Sequence, residues 1–119
     1  MKTELLILSA ALIFLCAPAI AAPKITRIQF AKGSYCGSYT GDFSGGRRFI
    51  LSLGRDQTFV SRNNSGSDQI DVYVQGPTGK IPGEKISDNE VHYQTTAKGD
   101  YEIMVLSASK FSSVEFCAY

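Results

Sequence analysis

Beyond Ala22 the apolar residues of this chain never settle into a helical period. They come in short runs that alternate with polar residues, and turn-forming residues separate the runs. Ile28 and Phe30 share one parity over residues 25–30, and a Tyr- and Gly-rich run covers 34–43. Phe49, Leu51 and Leu53 line one face of 48–53, and a further run covers 57–61. Val72 and Val74 pair within 70–75, and a short run covers 91–95. Tyr101, Ile103 and Val105 share a face of 100–107, and Val114 and Phe116 close the pattern in 113–118. Between the runs stand Ser44-Gly45-Gly46, Gly76-Pro77-Thr78-Gly79, Ser87-Asp88-Asn89 and Ala97-Lys98-Gly99, each with the chemistry of a tight turn. Short strands at about 8 to 12 residue intervals predict an all-β chain, a single antiparallel β-sandwich of about eight to nine strands. Residues 80–85 hold Pro82 and Gly83, and read as an irregular loop or an edge strand broken by proline.

The first residues follow another pattern. Lys2 precedes Leu5-Leu6-Ile7-Leu8 and an apolar stretch that runs to Leu15, and Pro18-Ala19-Ile20-Ala21-Ala22 ends it in mostly small residues. This is the three-part order of a secretory leader, cleaved after Ala21. Residues 1–21 are thus expected to be removed and 22–119 to form one domain. The apolar run is well short of the ~20 residues that cross a bilayer, so no membrane attachment is expected after cleavage. Cys16 falls in the leader, behind Leu15 rather than a small residue, which argues against lipid attachment. The mature chain keeps Cys36 and Cys117. Two cysteines in an exported domain predict a disulfide. If successive strands reverse direction, the two meet at one end of the sandwich only when 80–85 acts as one strand-like pass.

Charge is nearly balanced, with 12 Lys and Arg against 11 Asp and Glu for a formal net charge of +1. A nucleic-acid partner needs a basic excess or stripe, so none is expected. The mature chain has one histidine, His92, placed beside Tyr93 in a strand pattern. No nucleophile elbow, phosphate-binding loop or histidine metal motif occurs. Asp68 and Asp71 would give two of the six to eight oxygen ligands that calcium takes, with turn capping the plainer reading. Asn63-Asn64-Ser65 matches a glycosylation acceptor. No enzyme activity and no cofactor are expected; the composition points to binding.

Several residues carry a more specific signal. Phe30-x-Lys32-Gly33 is followed by Tyr39-x-Gly41, then by Asp71-Val72-Tyr73-Val74-x-Gly76-Pro77-x-Gly79, and last by Gly99-Asp100-Tyr101. In this order the chain resembles the periplasmic inhibitors of g-type lysozyme, the related i-type inhibitors and, more distantly, the bacterial pre-peptidase C-terminal β-sandwich domains. The resemblance covers most of the mature chain. It implies a compact antiparallel sandwich, a periplasmic or secreted location, and loops that enter the glycan cleft of a lysozyme partner. Inhibitors of c-type and i-type lysozymes carry Ser-Gly-x-Tyr, and Lys98-Gly99-Asp100-Tyr101 stands at that place with Lys for Ser.

Lysozymes hydrolyse glycan with cleft carboxylates. A cation aimed at them gains a strong, charge-assisted hydrogen bond. Arg47, Arg48 and Lys110 are the candidate keys, with Lys98, Gly99 and Tyr101 a second set. Tyr101 shares its period with Ile103 and Val105, which assigns it to the core. Strand parity places loops 44–48, 62–68 and 107–113 at one end of the sandwich and 97–100 at the other, beside the disulfide. The leading reading is an inhibitor of g-type or i-type lysozyme, blocking the glycan cleft with surface loops and acting as a monomer or weak dimer. The alternative is an accessory β-sandwich that binds glycan or an envelope enzyme without inhibiting it.

Overall fold

The computed structural model describes residues 24–65 and 69–119. The expected leader, Cys16 and Asp68 lie outside them. Ten strands form: β1 (Lys24–Arg27), β2 (Cys36–Asp42), β3 (Arg47–Leu53), β4 (Thr58–Asn63), β5 (Ile70–Gly76), β6 (Gly79–Ile81), β7 (Gly83–Ser87), β8 (Glu90–Gln94), β9 (Gly99–Ser107) and β10 (Phe111–Ala118). They make two five-stranded sheets, ordered β1-β3-β9-β5-β6 and β2-β10-β4-β8-β7. The chain is an all-β sandwich, as the alternating pattern predicts.

Two details depart from the expectation. Residues 80–85 belong to two strands in different sheets, which raises the count to ten. Ile81 is the last residue of β6 in one sheet and Gly83 the first of β7 in the other, with Pro82 at the crossing. Proline has no N–H to give a ladder, so it fits a point where the chain leaves one sheet edge for another. β6 runs antiparallel to β5 and β7 antiparallel to β8, so both continue in one direction and form a single bent pass. The second departure is β1, which pairs with β3 in parallel, Lys24 opposite Arg47 and Arg27 opposite Ile50. The chain crosses to the other sheet for β2 and returns for β3. Two reversals restore the original direction, so strands one step apart in the same sheet must run the same way.

Parity brings both cysteines to one end. Cys36 and Cys117 face each other across the β2–β10 ladder and are bonded, with Cα atoms 4.0 Å apart. The N–H of Ala118 donates to the Tyr35 carbonyl at 2.9 Å. The cysteines therefore occupy the neighbouring non-hydrogen-bonded position, where antiparallel strands approach most closely.

The inward-facing apolar side chains of β3, β9 and β10 are buried: Phe49, Leu51 and Leu53; Tyr101, Ile103 and Val105; Val114, Phe116 and Ala118. A run of rings crosses this interior. Phe49 of one sheet meets Phe116 of the other at 5.2 Å between centroids, and Phe116 meets Phe59 at 5.6 Å. Tyr39 and Phe43 extend the run beyond Phe49, and Tyr93 extends it beyond Phe59.

The bond between Cys36 and Cys117 spans 81 residues. In the chain-entropy account such a loop contributes roughly 4 to 5 kcal/mol. The aromatic interior contributes independently. Reduction, or replacement of both cysteines by serine, should lower the melting temperature yet leave a cooperative transition and native-like near-ultraviolet circular dichroism. Alkylation of the oxidised mature protein followed by intact-mass measurement should add no label.

Candidate functional site

The end of the sandwich opposite the disulfide gathers three connections. Between β2 and β3, the Asp42 carboxylate accepts the Ser44 N–H at 2.8 Å, and the Gly46 N–H donates to the Phe43 carbonyl at 2.9 Å. Gly45 and Gly46 have φ of +73° and +86°, a left-handed conformation that glycine enters without steric cost. Phe43 turns its ring into the core, and its N–H donates to the Lys110 carbonyl at 2.7 Å. That bond clasps the β2–β3 turn to the β9–β10 turn. The Ala108 N–H donates to the Gln69 carbonyl at 3.0 Å, and the Asn64 N–H to the Ser113 carbonyl at 3.0 Å. The Ser65 hydroxyl meets the Ser112 hydroxyl and accepts the Ser113 N–H at 2.7 Å. The two turns border a shallow notch, with Ser44 and Gly45 on one side and Ala108, Ser109 and Lys110 on the other. Phe111 beside it is 68% exposed.

The candidate cations at this end differ in availability. Arg47 is buried. Its Nε donates to the Asp42 carbonyl at 2.9 Å, another nitrogen donates to the Thr26 hydroxyl at 2.5 Å, and the guanidinium lies 4.5 Å from the Tyr39 ring centroid. It braces β1 and β2 rather than facing a partner. Arg48 points outward and binds both carboxylate oxygens of Glu102, at 3.2 and 2.6 Å. Lys110 is exposed and, among the described residues, no carboxylate pairs with it. The expected rim of three cations is therefore one lysine beside an exposed phenylalanine.

The second set lies at the disulfide end. Lys98 is exposed. Tyr101 is buried, its hydroxyl donating to the Ala97 carbonyl at 2.6 Å and accepting the Ala97 N–H at 3.3 Å. A Cβ on Gly76 would lie 2.5 Å from a Tyr101 ring carbon, and one on Gly99 would lie 2.8 Å from Cγ of Pro77. The Gly-Pro turn and the Gly-x-Tyr block thus pack against each other and close the hairpin of β5 and β6 onto β9.

A polar network absent from the sequence reading covers the outer face of the second sheet. Arg62 donates to Glu90 at 2.8 Å and to Glu115 at 3.1 Å, and its Nη1 lies 3.3 Å from Cys117 Sγ. His92 meets Glu90 at 2.6 Å. The hydrogen bond from Arg62, then that from His92, holds the Glu90 carboxyl below its ordinary value. Residues 62, 90 and 115 stand on β4, β8 and β10, so only strand order could reveal this grouping. Cys36, Glu115 and Cys117 also cluster, but the two sulfurs are bonded to each other and are not thiolate ligands. Asp71 is exposed on β5, and its expected calcium companion Asp68 lies outside the described residues.

No protein-family model and no curated protein matches the chain. Solved structures do. PliG of Aeromonas hydrophila, a periplasmic lysozyme inhibitor of g-type lysozyme, has a TM-score of 0.59 at 24% identity, over 82% of this chain and 100% of that one. PliG of Salmonella Typhimurium, also a periplasmic inhibitor of g-type lysozyme, has a TM-score of 0.60 at 20% identity with the same coverage. The pre-peptidase C-terminal domain of a Bacillus anthracis collagenase has 0.58 at 11% identity, over 85% of this chain and 100% of that one. The chain has the fold these proteins share.

Gly76→Ala should force Tyr101 aside and destabilise the protein by about 1 to 3 kcal/mol, measured by urea unfolding. At the notch end, hydrogen bonds from the Ser44 hydroxyl and N–H and then from Lys24 hold the Asp42 carboxyl well below the usual carboxylate range. A carboxyl lowered on folding stabilises the native state above its unfolded pKa and loses that contribution as pH falls towards the folded value. Stability should therefore decline below about pH 4. An Asp42→Asn variant should show a shallower decline in urea midpoints measured from pH 5 to pH 2.

Proposed function

We propose that this chain is a periplasmic or secreted protein inhibitor of g-type lysozyme, and not an enzyme. The observation that carries the reading is the pairing of fold with sequence. The collagenase domain shares the fold at nearly the same TM-score, so architecture alone does not choose between them. Identity does favour the inhibitors, at 20–24% against 11%. The Phe30-x-Lys32-Gly33 opening points the same way. The cysteine pair suits an oxidising compartment.

The contact assigned to lysozyme is the notch end of the sandwich. Lys110 offers the cleft carboxylates an ammonium that pairs with no carboxylate among the described residues, and Phe111 offers an exposed ring of the kind that anchors protein interfaces. The clasp between Phe43 and Lys110 holds the backbone of both turns before binding, which reduces the ordering cost of association. Arg48 contributes less than its charge suggests, because a partner carboxylate would have to displace Glu102.

The purified mature domain should slow lysis of bacterial walls by g-type lysozyme stoichiometrically and reversibly on dilution, with no hydrolysis of its own. Lys110→Glu combined with Phe111→Ala should weaken inhibition by about 10-fold or more, equivalent to ~1.4 kcal/mol. Lys98→Glu, at the opposite end, should change it little. The reverse pattern in folded proteins would move the inhibitory edge to the disulfide end. Failure to bind g-, i- or c-type lysozyme at micromolar concentration would replace the proposal with the accessory-module reading.

A further inference from the structure

Among the described residues, one side of the sandwich is not sealed. Where the chain crosses at Pro82, β6 stops after pairing with Val74, Gln75 and Gly76. The first half of β5, Ile70 to Tyr73, pairs with β9 on one side and, among the described residues, with no strand on the other. The direction of its hydrogen bonds follows from its neighbour Gln69. The Gln69 carbonyl accepts from Ala108, beside β9. By the antiparallel alternation, Asp71 and Tyr73 also address β9. Ile70 and Val72 therefore turn their N–H and C=O groups to the open side. There the Val72 carbonyl receives a long hydrogen bond from the Tyr93 hydroxyl, at 3.5 Å.

The core is incompletely covered at the same place. Ile70, Val72, Ile81 and Val91 pack against the buried cluster yet are only partly buried. All four line a cleft of ≈ 640 Å³ that opens between β5 and β7. β7 is exposed along its whole length and, among the described residues, pairs only with β8. An unpaired strand edge beside partly covered apolar side chains has the chemistry of an added strand. Backbone groups supply the affinity, and alternate side chains enter the gap.

We propose that this cleft is a docking site for an extended peptide segment of a partner protein. The segment adds to β5 antiparallel, in line with β6, and extends the first sheet over Ile70 to Tyr73. Four residues of strand span ~13 Å. The peptide residue opposite Val72 exchanges hydrogen bonds with its N–H and C=O. It turns an aliphatic side chain inward against Val91 and Tyr93, as the pleat requires of a residue facing the core. The residue before it lies opposite Tyr73 and faces outward, on the side of the Lys80 ammonium at the outer rim, and suits an acidic or hydroxyl side chain. An unstructured segment fits better than a second copy of this chain, because a two-fold pairing of β5 with itself about Val72 would set Ile70 opposite Val74 of the other copy, an edge that β6 already fills with Ile81. The site is independent of the lysozyme contact assigned to Lys110 and Phe111.

The test is selection of a phage-displayed library of random linear 12-residue peptides on the disulfide-intact mature domain. Selected sequences are then synthesised and titrated into isotopically labelled protein. The expected result is a motif of alternating apolar residues, chemical-shift changes centred on Ile70 to Tyr73 and Ile81, and slowed exchange of the Val72 N–H. Val72→Pro removes that donor on the open side without costing a bond to β9, and should weaken the peptides by about 10-fold or more while preserving the fold and lysozyme inhibition. Gln75→Ala, beside the site but already paired with β6, should bind normally. Peptides that shift other residues, equal binding by the Val72→Pro variant, or no selection above background would overturn the proposal. Dimerisation of the free protein with shifts confined to this edge would overturn it in favour of a second copy as the occupant.

Discussion

Contact between the rings of Phe49 and Phe116 is the point from which the rest of the sandwich is built. Each lies on a strand with partners on both sides, each has no exposed surface, and their edge-to-face packing at 5.2 Å fixes how far apart the sheets stand. Offset and edge-on rings pack with a definite geometry and bury large areas. The run from Tyr39 through Phe43, Phe49, Phe116 and Phe59 to Tyr93 therefore sets the thickness along most of the interior. It ends at Tyr93. Beyond that ring only aliphatic side chains fill the space, and there the two sheets part at the Pro82 crossing. The closed notch end and the open cleft are consequences of where the aromatic residues stop.

The same reasoning separates what the shared motifs do from what they were expected to do. In the sequence, the turn chemistry of Gly76-Pro77 and the period of Tyr101 read as architecture, while the resemblance to Ser-Gly-x-Tyr makes Gly99 and Tyr101 contact candidates. Folded, they interlock: the missing Cβ of Gly76 admits the Tyr101 ring, and the missing Cβ of Gly99 admits Pro77. Such blocks suit any protein with this hairpin closure, inhibitor or not, and structural likeness to a collagenase domain at 11% identity agrees with that view.

Alternation exposed most of the fold in advance. Burial at every second residue of β3 and β9 is the pattern that period-two reading detects, and the parity of reversals put Cys36 beside Cys117. What it could not detect depended on contacts across sheets. The parallel pairing of β1 leaves no local mark, since four residues of strand look alike in either direction. Arg47 and Arg48 are adjacent and chemically identical in sequence. Only the strand's pleat, which turns one towards Tyr39 and the other towards Glu102, makes one a brace and the other a surface ion pair. Exposure of Phe111 was likewise hidden, because it sits at the last point before β10 enters the core.

Strand order has a consequence for how the molecule comes into being. β10, the last strand of the chain, lies between β2 and β4, and β9 lies between β3 and β5. The gaps between β3 and β5 and between β2 and β4 stay open until β9 and β10 are present. A chain that stops before β9 holds β2 and β4 with nothing to join them, and keeps only the pairings of β1 with β3, β4 with β8, β5 with β6 and β7 with β8. The contacts that unite these pieces join residues far apart in the chain, which slows folding through the entropy of loop closure. Cys117 lies on β10 itself, so the disulfide closes on the same strand that joins β2 to β4 and cannot lock a chain in which that strand is missing.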